Sequence, residues 1–87
     1  MSEWRVILLQ PAEKYLKRLP RTEQERILKA LKQLQENPEL ARPEPLKGRP
    51  EWKLRVGGRR VLFIPDREKK LFVVTTIGPR GDIYKGP

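Results

Sequence analysis

The chain has no cysteine and no histidine, and those two absences remove much of the usual catalytic repertoire. Without cysteine there is no disulfide framework, which fits a reducing compartment. Without either residue, Cys/His zinc sites, Ser–His and Cys–His nucleophile systems and paired-histidine acid–base catalysis are all impossible. No glycine-rich phosphate loop followed by Lys-Ser/Thr occurs, and no carboxylates cluster to hold Mg²⁺. No metal or cofactor is therefore expected, and any catalysis must come from Arg, Lys, Tyr and carboxylates. There is also no run of eighteen apolar residues and no basic-then-apolar leader, so the sequence reads as a soluble, unexported, cytoplasmic protein.

Positive charge is what the chain has in excess. Twenty Lys and Arg against eleven Asp and Glu give a formal net charge of +9 in 87 residues. Such a field attracts nucleic acid, an anionic membrane surface or an acidic protein partner. No basic amphipathic helix with bulky apolar anchors stands out, which makes membrane the weakest of the three. The length suits one domain, residues 1–87, with a modest core.

The most informative stretch is EWKLRVGGRRVLFI, Glu51 to Ile64. Trp52, Leu54 and Val56 alternate with Lys53 and Arg55, the period of a half-buried strand. Gly57-Gly58 supplies two residues tolerant of positive φ, as a two-residue hairpin turn requires. The turn sets the register: Val56 opposite Arg59, Arg55 opposite Arg60, Leu54 opposite Val61, Lys53 opposite Leu62. One face then carries Trp52, Leu54, Val61 and Phe63, and the other Lys53, Arg55 and Arg60. Like charges facing each other on a sheet are destabilising, and no carboxylate lies in the hairpin's register to offset them. That face is either a solvated surface or a site for a polyanion.

Upstream, Glu3 to Leu9 is an apolar run of strand length. Pro11 stands where a helix can begin, and Ala12, Tyr15, Leu16 and Leu19 fall at helical spacing until Pro20. Thr22 and Glu25 have the spacing of a capping box, and Ile27, Ala30, Leu31 and Leu34 make the next apolar stripe until Asn37-Pro38. So short a link implies an antiparallel helical hairpin laid on a sheet. The basic side of the second helix (Arg26, Lys29, Lys32) reads by default as solvated. Residues 38–50 hold four prolines and read as an irregular, stiff connection anchored by Leu46. Downstream of the hairpin, residues 65–69 read as a turn. Leu71 to Ile77 reads as an interior strand, and Ile83-Tyr84 as a possible last pairing. Trp4 and Trp52 are expected in the core. The fold class that follows is α+β, in the order β-α-α-β-β-β(-β): an antiparallel sheet with a helical hairpin on one face. The basic face is left open, flanked by Arg80 and Tyr84.

Strand, helical hairpin, Leu46-Lys47-Gly48, WKLRVGGRRVLF and finally GPRGDIY, in that order, resemble the RelE/ParE superfamily of bacterial and archaeal toxins. The resemblance covers nearly the whole chain. It implies a RelE-like fold similar to that of small microbial ribonucleases, and a toxin of a type II toxin–antitoxin system. It implies two partners, a cognate acidic antitoxin and mRNA in the ribosomal A site, and cleavage of that mRNA without metal. The residues matching the family's functional set are Lys53, Arg55, Arg60, Arg80 and Tyr84. Arg59 stands where the family usually has an aromatic residue, and Pro79 where it often has His or another basic residue.

The chemistry of these residue types is compatible with RNA cleavage, in which the 2′-hydroxyl attacks the adjacent phosphate. Lys53, crowded by Arg55 and Arg60, is the expected base, and the two arginines hold the phosphate bidentately. Arg80 is placed at the leaving oxygen as charge stabiliser or proton donor. Tyr84 either stacks on a base or hydrogen-bonds the attacking hydroxyl. The alternatives are that Arg80 pairs with Asp82 and Tyr84 packs on the core. Two other functions share this sequence pattern: a ParE-like inhibitor of DNA gyrase, whose members generally lack the basic set and the terminal Tyr, and a nucleic-acid-binding module without activity.

Overall fold

In the computed structural model, which describes residues 3–79, the chain begins with a short strand, β1 (Arg5–Leu8), and runs directly into two helices, α1 (Gln10–Arg18) and α2 (Arg21–Glu36). Pro11 lies in the first turn of α1, where a missing N–H costs nothing. Pro20 separates the helices by occupying the N-cap of α2 with φ −55° and ψ 151°. That placement overturns the expected capping box. Thr22 falls inside the first turn rather than before it, and no side chain caps the helix. Gln24 makes the link instead, its Nε2 donating to the carbonyls of Leu19 at 2.7 Å and Lys17 at 3.3 Å.

The proline-rich connection is more ordered than its composition suggests. Pro38–Ala41 forms a single helical turn, α3, and Glu44–Pro45 a two-residue strand, β2. Three long strand segments complete the order: β3 (Trp52–Val56), β4 (Arg59–Asp66) and β5 (Leu71–Pro79). β4 runs one residue past the expected start of the turn, and the Asp66 carboxylate then accepts the Lys69 N–H at 3.1 Å.

The five strands lie in the order β1-β5-β4-β3-β2. Pairing is antiparallel except at one edge, where β1 runs parallel to β5. A parallel neighbour needs a crossover, and the α1–α2 hairpin is part of it. The β3–β4 register is the one the turn length dictates, with Val56 opposite Arg59, Arg55 opposite Arg60, Leu54 opposite Val61 and Lys53 opposite Leu62. Of the two turn glycines only Gly57 takes a positive φ, 61°. A turn needing φ > 0 at its first central position alone accounts for this.

Helices and sheet meet over one core. Ala12 and Leu16 of α1, and Ile27, Leu31 and Leu34 of α2, bury against Leu54, Val56, Val61, Phe63, Phe72, Val74 and Ile77. Val74 and Ile77 are three residues apart, an odd spacing that would normally put them on opposite faces. An irregularity in the β4–β5 ladder resolves this. Leu62 pairs with Thr76 and Phe63 with Val74, leaving Thr75 as the extra residue, which restores both side chains to the core. Trp4 stacks on Phe72 at 4.6 Å between ring centroids, and Trp52 packs on the same cluster. No described helix is long and apolar enough to cross a membrane.

Candidate functional site

The sheet face turned away from the helices gathers three of the five sequence-predicted residues. Lys53 and Arg55 alternate with the buried Leu54, and Arg60 lies directly opposite Arg55. Strand alternation therefore commits all three side chains to one face without any help from a loop. Arg80 and Tyr84 lie outside the described residues.

Two features modify the expected picture of an open, uniformly basic face. β2 places Glu44 opposite Lys53 in register, with its carboxylate 4.0 Å from the Lys53 ammonium. A carboxylate thus does lie beside the basic set, supplied by a strand that the prolines concealed. The face is also more enclosed than its charge implies. Leu62, on the same side as Lys53, is only 3% exposed. The Lys53 side chain is 15% exposed, and the Nε of Arg60 is withdrawn from solvent. Arg55 alone of the three is exposed, and among the described residues no ion pair involves it.

The physical consequence is a graded site. Lys53 sits deep beside the Glu44 carboxylate, Arg60 is partly buried, and Arg55 projects at the exposed end near the turn. A polyanion can be drawn in by Arg55 and held by the planar, multidentate guanidinium of Arg60. An apolar hollow of about 270 Å³ lies elsewhere, among Trp4, Trp52, Phe63, Phe72, Pro43 and Arg67. Its lining has one charged group and no set of convergent polar atoms, so it offers nothing to acid–base chemistry.

Arg59 was missed as a structural residue, although its parity with Val61 and Phe63 puts it on the helix side. Its Nη1 donates to the Glu23 carboxylate of α2, and its Nε donates to the Tyr15 hydroxyl of α1 at 3.3 Å. The Tyr15 hydroxyl and the Glu23 carboxylate together raise its pKa above the ordinary arginine value, so the guanidinium stays charged throughout the accessible pH range. One side chain therefore ties both helices to the turn that carries Arg55 and Arg60. Replacing Arg59 with Leu leaves the Glu23 carboxylate half-buried without its partner. Hydrogen bonds to charged groups contribute about 1.5–3 kcal/mol, so this variant should lose stability on that order in urea titration. Arg55→Leu should lose far less.

A small α+β fold with a cationic sheet face is what the geometry defines. Residues 6–84 match the family described as the ParE toxin of type II toxin–antitoxin systems, parDE, and the chain belongs to this RelE/ParE toxin superfamily. Solved structures agree. The archaeal RelE–RelB complex of Pyrococcus horikoshii is similar at 25% identity and a TM-score of 0.76, over 91% of this chain and 97% of that one. The intact RelBE toxin–antitoxin complex of Escherichia coli is similar at 27% identity and a TM-score of 0.69, over 87% and 95%. The isolated E. coli RelE toxin shares the fold at 24% identity and a TM-score of 0.75, over 93% and 90%. None of the curated proteins matches the sequence.

Proposed function

We propose that this toxin is a ribosome-dependent mRNA endoribonuclease that arrests translation, with Lys53, Arg55, Arg60, Arg80 and Tyr84 as its working set. The observation that carries the reading is the gathering of Lys53, Arg55 and Arg60 on one sheet face. On this account Lys53 takes the proton from the 2′-hydroxyl, and the 2′-oxygen bonds to the adjacent phosphorus. Arg55 and Arg60 neutralise the charge that develops on the non-bridging oxygens, where preorganised donors are most effective. The bond to the 5′-oxygen breaks as Arg80, or a donor it orients, protonates that oxygen. The products are a 2′,3′-cyclic phosphate and a 5′-hydroxyl. Tyr84 stacks on a base or positions the attacking hydroxyl.

Cytoplasmic action and an acidic antitoxin complete the proposal. The net charge of +9 favours an acidic partner whose disordered segment folds over the toxin. Pairing of the similar P. horikoshii and E. coli toxins with RelB-type antitoxins supports it.

The test is incubation of the purified protein with translating ribosomes and end-labelled mRNA. Because protein cations stabilise the phosphorane in this scheme, cleavage on ribosomes kept intact should persist when free Mg²⁺ is titrated out with EDTA, and the products should carry cyclic phosphates. Activity that vanishes with EDTA and returns with Mg²⁺ on intact ribosomes would overturn the mechanism. Inhibition of DNA gyrase is the second reading, favoured by the match to the ParE family over residues 6–84. Blocked gyrase supercoiling with transcripts left intact would establish it instead.

A further inference from the structure

The hairpin turn has a cation on its helix side that the proposed reaction does not use. Arg26 of α2 reaches over the turn: a Cβ placed on Gly57 would meet its Nη1 at 3.1 Å and its Cδ at 3.7 Å. The acids around it are committed elsewhere. Glu23, one helical turn back, is held by Arg59, and Glu25 faces Arg21 at 3.9 Å. Among the described residues no ion pair involves Arg26, and its side chain is exposed. The Gly57-Gly58 ridge lies beside Arg26, at the end of the hairpin that carries the basic sheet face. Both glycines are exposed, and a Cβ at Gly58 would meet nothing within 4 Å. Arg55 lies two residues before Gly57, about 7 Å along an extended strand.

We propose that Arg26 forms a second phosphate position, at which a single-stranded RNA leaving the Arg55/Arg60 face crosses the bare glycine ridge and turns onto α2. The inference rests on the reading of the sheet face as RNA-binding and extends its footprint around the end of the hairpin. Glycine has two roles at Gly57. It supplies the φ of 61°, and it leaves room for Arg26 to lie across the turn. The contact is to the sugar–phosphate backbone, so it contributes affinity uniformly and carries no base preference.

The probe is a fluorescent single-stranded RNA with 2′-O-methyl riboses, which cannot be cleaved by attack of the 2′-hydroxyl. Its affinity is measured by anisotropy as KCl is varied. Each neutralised phosphate of a single strand contributes about 0.7 to the slope of log K against log salt. R26Q should bind several-fold more weakly, with a slope shallower by about that amount, and R26K should restore the slope. Lys32→Gln removes the same charge six residues further along α2, about 9 Å away, and should leave the slope at the wild-type value. An R26Q slope equal to wild type, or losses equal for R26Q and K32Q, would overturn the proposal. The double variant Arg55→Ala/Arg60→Ala separates this inference from the reading it rests on. Binding lost in R26Q but kept in the double variant retains the turn site and rejects the sheet face; the converse retains the sheet face and rejects the turn site.

Discussion

Arg60→Ala should lower the cleavage rate by on the order of a hundredfold or more, the scale seen when a preorganised donor to a developing oxyanion is removed. The melting temperature should hardly move. Arg60 contributes a partly buried guanidinium opposite Arg55, and the backbone pairing of β4 to both neighbours does not depend on its side chain. Relief of the cross-strand repulsion with Arg55 offsets part of whatever packing is lost. Rate and thermal stability measured on the same preparation check this directly. A variant that melts well below wild type and regains full rate when cooled would mark Arg60 as a scaffold residue. Arg80→Ala belongs with Arg60→Ala in the proposed scheme and should lower the rate on the same scale.

The second large effect is expected at Phe63, which behaves in the opposite sense. Its side chain is 1% exposed and meets Phe72 edge-on at 5.4 Å, at the point where the β4–β5 irregularity realigns the core-facing residues. Truncation to Ala removes a large apolar volume and leaves a cavity that close neighbours fill only partly. Such changes cost about 3–5 kcal/mol. Domains of this size are stable by roughly 5–15 kcal/mol, so Phe63→Ala should shift the urea midpoint strongly and populate unfolded chains at growth temperature. Activity per folded molecule should survive, because Phe63 lies on the face turned away from Lys53, Arg55 and Arg60.

The contrast between these residues also explains what was legible in the sequence. Strict alternation and a two-residue turn fix both faces of the β3–β4 hairpin, so Lys53, Arg55 and Arg60 could be placed together from spacing alone. The helices were legible for the same reason, their apolar residues recurring at helical intervals. What escaped depends on contacts distant in sequence. Glu44 comes beside Lys53 only because β2 pairs with β3, and nothing local in a proline-rich segment announces a two-residue strand. The bond from Arg59 to Glu23 joins residues 36 apart. Parity gave its face but not its partner. The capping box failed on a competing local rule, since Pro20 claimed the cap position two residues before Thr22.

If the basic sheet face is the cleaving surface, it should cut RNA inside cells. The direct measurement is mapping of mRNA 5′ ends after induction of the wild type and of the Arg55→Ala/Arg60→Ala variant, both shown to be folded. The wild type should generate new 5′-hydroxyl ends within translated frames and stop growth, and the double variant should generate none. The same new ends in both, from equally folded proteins, would show that the basic face is not the cleaving surface. Growth arrest by the wild type with no new ends and with gyrase supercoiling blocked would contradict the account outright.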